Sequence, residues 1–196
     1  MDFSEVNSIE RDIFLMINGK HNPFMDTLMS SLNSLLVWIP LIIVLGLYVI
    51  RFYTQKEDSY MNAFLVISLI SVLMVICWIV LPPLVESYVH RITPCFHPEV
   101  ARFAHLLSNC DTKFSFFALR PSLAFALFVF VFMLFRNNMN WLVYFLFFWA
   151  ILFSYNRIYL GVHFPLNVLF ADIVGVLLGF TCYKVYVYFK NEMLVI

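Results

Sequence analysis

Charged side chains are scarce in this sequence of 196 residues, where lysine, arginine, aspartate and glutamate together make up 12%. A soluble globular domain is about one quarter charged, so the composition argues against an ordinary soluble fold. The formal net charge is zero, which gives no reason to expect a nucleic-acid partner. The sequence contains no glycine-rich phosphate loop, and its five histidines are scattered without paired cysteines. We therefore expect no metal site and no cofactor.

Apolar residues take the place of the missing charge: they make up 63% of the chain, and the mean hydropathy is +0.88. A membrane-spanning helix needs about 20 apolar residues. The sequence predicts an all-α, polytopic membrane helix bundle that forms a single domain over residues 1–196. The five predicted spans are about 34–53, 60–82, 114–135, 140–155 and 165–189.

The segment before the first span has the pattern of an amphipathic helix. Its apolar residues fall near helical spacing, and its acidic residues fall on the opposite face. The apolar set is Val6, Ile9, Ile13, Met16 and Ile17, and the acidic set is Glu5, Glu10 and Asp12. The segment is too short and too charged to span a bilayer, so we expect it to lie at the membrane interface.

The loop of about 83–113 is the longest polar connection, and it holds Cys95 and Cys110. In an oxidising compartment the two can close a disulfide; otherwise they are free thiols. Counting lysines and arginines does not decide the orientation. The cysteine pair favours an extracytoplasmic loop, and Cys77 and Cys182 lie in apolar runs, as packing residues do.

Ionisable residues near membrane depth are costly, and they mark either a functional site or a specific pair. Arg120, Arg157, His163 and Asp172 are of this kind. The alternative for the first three is anchoring at the interface, where long side chains reach water. Asp172 lies nine residues beyond His163, which is about 13 Å along a helix axis. We expect it to pair with an arginine.

The stretch "SYNRIYLGVHFPLNV", residues 154–168, resembles the third motif of the type 2 phosphatidic acid phosphatase superfamily, SRxxxxxHxxxD. The stretches "NGKHNPFMDTLM", "VWIPL" and "TPCFHPEV" are also similar to parts of its small bacterial members. The resemblance implies a phosphohistidine mechanism. The histidine of the third motif attacks phosphorus and is oriented by the aspartate of that motif. The histidine of the second motif, PSGH, protonates the leaving alcohol. The lysine and arginine of the first motif, KxxxxxxRP, and the arginine of the third hold the phosphate.

Two alignments place the first motif, and we choose the one that leaves room for the second. The segment "KFSFFALRP", residues 113–121, matches the first-motif pattern, but it leaves no second motif before the third. Aligning on Pro94 and Cys95 puts the first motif at "ESYVHRITP", and aligning on residues 125–127 puts the second at residues 117–120.

This alignment retains only Arg157 and His163 among the catalytic and phosphate-binding positions. The other positions carry substitutions: Glu86 for the lysine, Thr93 for the arginine, Arg120 for the general-acid histidine and Asn167 for the aspartate. Asn156 also replaces the serine of the third motif. An arginine cannot serve as the acid, because its pKa exceeds about 12. An asparagine can accept a hydrogen bond from His163, but it does not stabilise an imidazolium as a carboxylate does.

Two functions remain open. The first is a catalytically impaired member of the superfamily, in which Arg120 and Arg157 hold an anionic or phosphorylated lipid head group. It would act as a lipid binder, a carrier-lipid handler or a partner subunit for another protein. If Glu86 pairs with an arginine there, the site is a structural ion pair instead.

The second is an active lipid-phosphate phosphatase with His163 as the nucleophile. Water or one of the loop histidines, His90, His97 or His105, would then protonate the leaving group. Candidate substrates are phosphatidic acid, phosphatidylglycerol phosphate, a lipid A phosphate or an isoprenyl phosphate. Under either hypothesis we expect a bacterial inner-membrane protein whose site faces the extracytoplasmic side.

Overall fold

The computed structural model describes residues 6–54, 60–108, 112–136 and 141–193. Within those ranges the fold is all-α, with one isolated antiparallel bridge between Ile92 and Phe114, which confirms the predicted fold class. The helices are α1 Ser8–Asn18, α2 Pro23–Leu32, α3 Trp38–Thr54, α4 Tyr60–Val75, α5 Leu81–Glu86, α6 Leu119–Phe135, α7 Trp141–Tyr159 and α8 Pro165–Met193.

Helices lie at all five predicted spans. A π-helical segment, Ile76–Val80, joins α4 to α5, so helix continues from Tyr60 to Glu86. This stretch, α7 and the Pro165–Asn191 part of α8 are long and apolar enough to cross a bilayer. The two remaining apolar helices, α3 and α6, have 17 residues each. The chain is an integral membrane protein.

Several span boundaries differ from the prediction by four or five residues. The third predicted span begins at 114, but α6 begins only at Leu119, because the residues before it pair with the preceding loop. The Thr93 N–H donates to the Lys113 carbonyl at 3.0 Å, and the Ser115 N–H donates to the Arg91 carbonyl at 3.1 Å. The fourth predicted span ends at 155, whereas α7 continues to Tyr159.

Helix α1 is amphipathic as predicted, and one of its faces packs against the bundle. Glu10, Phe14 and Asn18, spaced four residues apart, are buried against the bundle. Ile9 and Met16 are 66% and 58% exposed, as suits a helix lying in a membrane interface. The Glu10 carboxylate, on the face opposite the predicted apolar residues, pairs with the buried Arg91.

The largest core cluster lies among α3, α4, α6, α7 and α8. Helix α6 packs most extensively against α8 and then against α7. A second cluster joins α1 to the start of α8 through Phe14, Phe164 and Val168. A third packs α2 under the end of α7 through Met29, Leu32 and Tyr159. The two short N-terminal helices therefore cover one end of the bundle.

A tight turn connects α7 to α8 and turns the chain back on itself. Gly161 has φ +79, a left-handed conformation that glycine adopts without steric cost and that ends many helices. The N–H groups of Val162 and His163 both donate to the Arg157 carbonyl at 3.3 Å. Pro165 then begins α8 at a position where its missing N–H costs nothing. His163 is thereby fixed between two helix ends.

Candidate functional site

A cavity of about 270 Å³ opens at the end of the bundle where several helix ends meet. Four of the sequence-predicted site residues line it: His163, Arg157, Arg120 and Glu86. Arg157 lies in the last turn of α7, Arg120 in the first turn of α6 and Glu86 at the end of α5. His163 is buried in the turn between α7 and α8. The fold thus brings together residues that are up to 77 positions apart.

Asn33, directly after α2, joins the two arginines of the cavity, and the motifs gave no indication of it. Its Oδ1 accepts a hydrogen bond from Arg157 Nη1 at 2.8 Å and another from Arg120 Nη1. Its Nδ2 donates to the Ser108 hydroxyl at 3.3 Å. Two positive charges therefore share one neutral oxygen. Among the described residues, neither arginine forms an ion pair.

Glu86 lines the same cavity but binds a hydroxyl group rather than an arginine. Its Oε1 accepts a hydrogen bond from the Ser115 hydroxyl at 3.0 Å. In the described part of the chain no salt bridge joins Glu86 to Arg120 or Arg157. The structural ion pair considered from the sequence is therefore not formed. The cavity keeps two cations and one carboxylate that do not neutralise each other directly.

His163 lies in a cationic environment and outside the candidate spans on either side of it. Burial lowers its pKa well below the usual value of 6.5, and the charges of Arg157 and Arg120 lower it further. The imidazole is therefore neutral at physiological pH. Its Nδ1 is buried and accepts or donates no hydrogen bond within the described residues.

Asn167 is fully buried, and both ends of its amide group bind residues other than His163. Its Oδ1 accepts a hydrogen bond from Arg91 Nη1 at 2.6 Å, and its Nδ2 donates to the Ser115 carbonyl at 3.3 Å. The hydrogen bond from His163 to Asn167 that the sequence allowed is not present. Asn167 belongs instead to a buried network next to the cavity.

Arg91, a residue of the long loop, is the centre of that network. It is completely buried, and its guanidinium forms two hydrogen bonds to Glu10, at 2.5 and 3.1 Å. Glu10 Oε1 also accepts the Leu166 N–H at 3.0 Å. The guanidinium carbon lies 5.3 Å from the centroid of the Phe164 ring. The network therefore fixes the segment on the C-terminal side of His163.

Asn156, at the serine position of the third motif, has a structural contact. It is fully buried, and its Nδ2 donates to the Met29 carbonyl of α2 at 2.7 Å. This bond holds α2 against α7. Met29 lies four residues before Asn33, which binds the two arginines. The asparagine side chain is longer than the serine of the motif, and it reaches the Met29 carbonyl.

Other predicted residues lie away from the cavity. Thr93 is buried, and its N–H binds the Lys113 carbonyl. Neither it nor Lys113, the lysine of the rejected alignment, lines the cavity. The loop histidines His90, His97 and His105 do not line it either.

Asp172 does not pair with an arginine, and that expectation is wrong. Its Oδ1 accepts a hydrogen bond from the Ser154 hydroxyl at 2.9 Å. Ser154 lies one helical turn before Arg157 on α7, on the side that faces α8. The guanidinium of Arg157 points instead to Asn33.

Of the two loop cysteines, Cys95 is disulfide-bonded. Cys110, its predicted partner, lies outside the described residues. Cys77 and Cys182 are free and buried, in agreement with a packing role.

Comparison with known proteins identifies the same family as the resemblance of the third motif. A family model described as the PAP2 superfamily, the type 2 phosphatidic acid phosphatases, matches residues 64–191. A lipid A 4'-phosphatase of Porphyromonas gingivalis is 24% identical over 95% of this chain and 76% of its own length. A lipid A 4'-phosphatase of Bacteroides thetaiotaomicron is 29% identical over 87% of this chain and 73% of its own length.

Two solved structures share the fold. Aquifex aeolicus LpxE superposes with a TM-score of 0.63 and 23% sequence identity, covering 94% of this chain and 99% of that one. The PAP2-type phosphatidylglycerolphosphate phosphatase of Bacillus subtilis superposes with a TM-score of 0.62 and 18% identity, covering 94% and 86%. At these identities the likeness is one of fold.

Proposed function

Because this chain belongs to the PAP2 superfamily, a family of membrane lipid phosphatases, we propose that its cavity binds the phosphate of a membrane lipid without hydrolysing it efficiently. The observation that carries the proposal is the pair of arginines, Arg120 and Arg157, which line the cavity and share only the neutral oxygen of Asn33. Two cations in a partly dry site attract a dianion strongly, and guanidinium groups suit phosphate oxygens.

We expect weak hydrolysis because of the residues that surround His163. A nucleophilic histidine acts best when its other ring nitrogen is fixed by a partner. Here Nδ1 has no partner in the described part of the chain, and Asn167 is bound by Arg91. Arg120 occupies the general-acid position and cannot release a proton at physiological pH. The described loop histidines do not line the cavity, so none of them supplies the missing acid.

The size of the cavity limits which part of a lipid it holds. A volume of about 270 Å³ accommodates a phosphate with an adjoining glycerol or sugar, whereas the acyl chains must remain in the bilayer. The names of the two curated relatives make a phosphorylated lipid A one candidate ligand. We propose that the site faces the periplasmic side of a bacterial inner membrane, in keeping with the disulfide-bonded Cys95.

An active phosphatase is the second candidate, and a specific observation favours it. His163 lines the cavity beside both arginines, so a phosphate held there lies near a neutral imidazole. Water entering the cavity would then have to protonate the leaving group.

One experiment separates the two functions. Purified protein in detergent is mixed with phosphatidic acid, phosphatidylglycerol phosphate, an isoprenyl phosphate or lipid A, and release of inorganic phosphate is measured. We expect release no faster than that of the His163→Ala variant. Release by the native chain that disappears in His163→Ala would establish the phosphatase and overturn the non-catalytic proposal.

Binding is measured separately, with short-chain phosphatidic acid as the ligand. Arg157→Gln should weaken binding about 10-fold or more, because a hydrogen bond to a charged group contributes about 1.5–3 kcal/mol. Arg102→Gln removes an exposed arginine from the loop and should leave binding unchanged. Equal affinity in the native chain and Arg157→Gln would rule out the cavity as the phosphate site.

A further inference from the structure

A second cluster of polar side chains lies outside the His163 cavity, between α2 and the long loop. His21, Asp26 and His105 each offer one ligand atom, and these three atoms lie within 4.8 Å of one another. None of the three residues lines the cavity. The sequence gave no sign of the cluster, because His105 is 79 residues beyond Asp26. The fold brings them together by packing the loop onto α2.

One distance in the cluster is close to the distance between two ligands of a tetrahedral zinc ion. Two ligands that are each about 2.0–2.1 Å from a tetrahedral zinc ion lie about 3.3–3.4 Å apart. His105 Nε2 and Asp26 Oδ2 are 3.2 Å apart. The His21 ring stacks on the His105 ring with centroids 3.8 Å apart and planes 8° apart. Because an imidazole binds a metal in the plane of its ring, the exposed His21 ring must turn out of this stack for both histidines to reach one ion.

Two of the three residues, Asp26 and His105, are also held in place by neighbouring residues, as in most metal sites. The Tyr159 hydroxyl donates to Asp26 Oδ1 at 2.6 Å, which leaves Oδ2 facing the histidines. The buried Asn18 accepts the His105 N–H at 2.7 Å and donates to the His105 carbonyl at 2.9 Å. A simple His–Asp pair needs neither the second histidine nor this clamp on the backbone of His105.

We propose that His21, Asp26 and His105 bind one divalent transition-metal ion of the zinc type, with water completing its coordination. Two imidazoles and a carboxylate are ligands that zinc accepts readily. Bound there, the ion connects the start of α2 to the loop. Asn33, at the other end of α2, binds Arg157, so the ion braces one wall of the cavity without entering it. This proposal does not depend on the function of that cavity.

The test uses the full-length protein, purified without a histidine tag and stripped of metal by a chelator. Zinc is added back, and bound zinc is measured after dialysis. We expect one ion per chain and a higher unfolding temperature with zinc, because a ligand that binds only the folded state stabilises it. His21→Ala and His105→Ala should each weaken zinc binding at least about tenfold.

His90→Ala is the matched control, because His90 is an exposed histidine of the same loop and does not belong to the cluster. It should bind zinc as tightly as the native chain. His21 is exposed, so its removal leaves the fold intact even if His105→Ala disturbs the loop. The absence of stoichiometric zinc in the native chain, or undiminished binding in His21→Ala, would overturn the proposal.

Discussion

The hydrogen bond between Asn167 and Arg91 explains why Nδ1 of His163 has no hydrogen-bond partner among the described residues. The amide of Asn167 has one oxygen and one nitrogen to offer, and both are used by Arg91 and the Ser115 carbonyl. Arg91 in turn needs Glu10, since a buried guanidinium without a carboxylate is costly. Glu10 comes from α1, so the environment of the third motif depends on a helix more than 140 residues earlier in the chain.

Arg91→Met should destabilise the protein by about 3–5 kcal/mol, because it leaves the Glu10 carboxylate buried without its cation. It also removes a donor from Asn167. The loss is measured as a change in the free energy of unfolding in detergent.

Arg11→Met is the control for this variant. Arg11 also joins α1 to the loop, through Glu99 at 2.9 Å, but the two side chains are 36% and 66% exposed. An exposed pair contributes about 0–1 kcal/mol, so this substitution should change stability little. Equal losses in the two variants would contradict a special role for the buried pair.

His163 should make stability depend on pH. Its pKa in the folded state lies well below 6.5, because of burial and the nearby Arg157 and Arg120. In the unfolded chain the pKa is about 6.5. Between these two values the unfolded state binds more protons, so stability is complete above about pH 6.5 and falls as the pH decreases.

The fall should approach about 1.4 kcal/mol per pH unit for this one group. Unfolding temperatures between pH 7.5 and 5 would measure it. His163→Gln should show a shallower fall than the native chain, whereas His90→Gln, at an exposed position, should behave like the native chain. Parallel curves for native protein and His163→Gln would contradict the assignment.

Motifs located some residues of the cavity but not every aligned position, since Thr93 of the aligned first motif does not line it. The spacing of the third motif located Arg157 and His163, and the aligned motifs located Arg120 and Glu86 at the same cavity. Asn33, Asn18 and Glu10 could not be found in this way. Their partners are between 75 and 156 residues distant, and nothing in the local pattern of a helix indicates which polar residue will be buried.

At the scale of helices, the contact between α6 and α8 sets the distance between Arg120 and the His163 turn. Gly175 and Gly179, one helical turn apart on α8, face the backbone of α6. A Cβ at Gly179 would lie 2.5 Å from the Ala126 carbonyl oxygen, and one at Gly175 would overlap the Ser122 carbonyl. Small residues at this spacing allow two membrane helices to approach closely.

Gly175→Ala should therefore destabilise the bundle by about 1–3 kcal/mol, the usual cost of overpacking. It should also weaken phosphatidic acid binding, since α6 must move outward and carry Arg120 with it. Gly46→Ala is the control, because a Cβ on Gly46 meets nothing within 4 Å. In a helix interior alanine is favoured over glycine by about 1 kcal/mol, so this variant should be equally or more stable. Destabilisation by both would point to helix chemistry rather than packing.

The helices themselves were predictable from their apolar runs, but their ends were not in every case. Helix α6 begins at Leu119 and not at the predicted residue 114, because hydrogen bonding with the loop competes with helix formation there. The fourth predicted span was short and open to extension, and it ended at 155 because the polar residues Asn156 and Arg157 follow. In the structure Asn156 donates a hydrogen bond to the Met29 carbonyl and Arg157 donates one to Asn33. With these partners the helix continues through both residues.

The two ends of the helix bundle carry different structural features. The end that holds the cavity also holds α1, α2, the long loop and the disulfide-bonded Cys95. At the other end the C-terminal parts of α3, α6 and α8 meet: Phe52 packs on Phe135, and the Tyr53 hydroxyl lies 2.9 Å from the Tyr186 hydroxyl. A disulfide persists in an oxidising compartment, so we expect the cavity end to face away from the cytoplasm.

Two exposed tyrosines at opposite ends test this orientation. Tyr88, just after α5, is 80% exposed, and Tyr60, at the start of α4, is 79% exposed. Cells expressing Tyr88→Cys or Tyr60→Cys are treated with a membrane-impermeant thiol reagent before and after permeabilisation. The free native thiols Cys77 and Cys182 are buried and should react little. We expect Tyr88→Cys to react in intact spheroplasts and Tyr60→Cys only after permeabilisation, because one helical stretch, Tyr60–Glu86, separates the two positions across the bilayer. The reverse pattern would place the phosphate cavity on the cytoplasmic side, where Cys95 would meet a reducing environment.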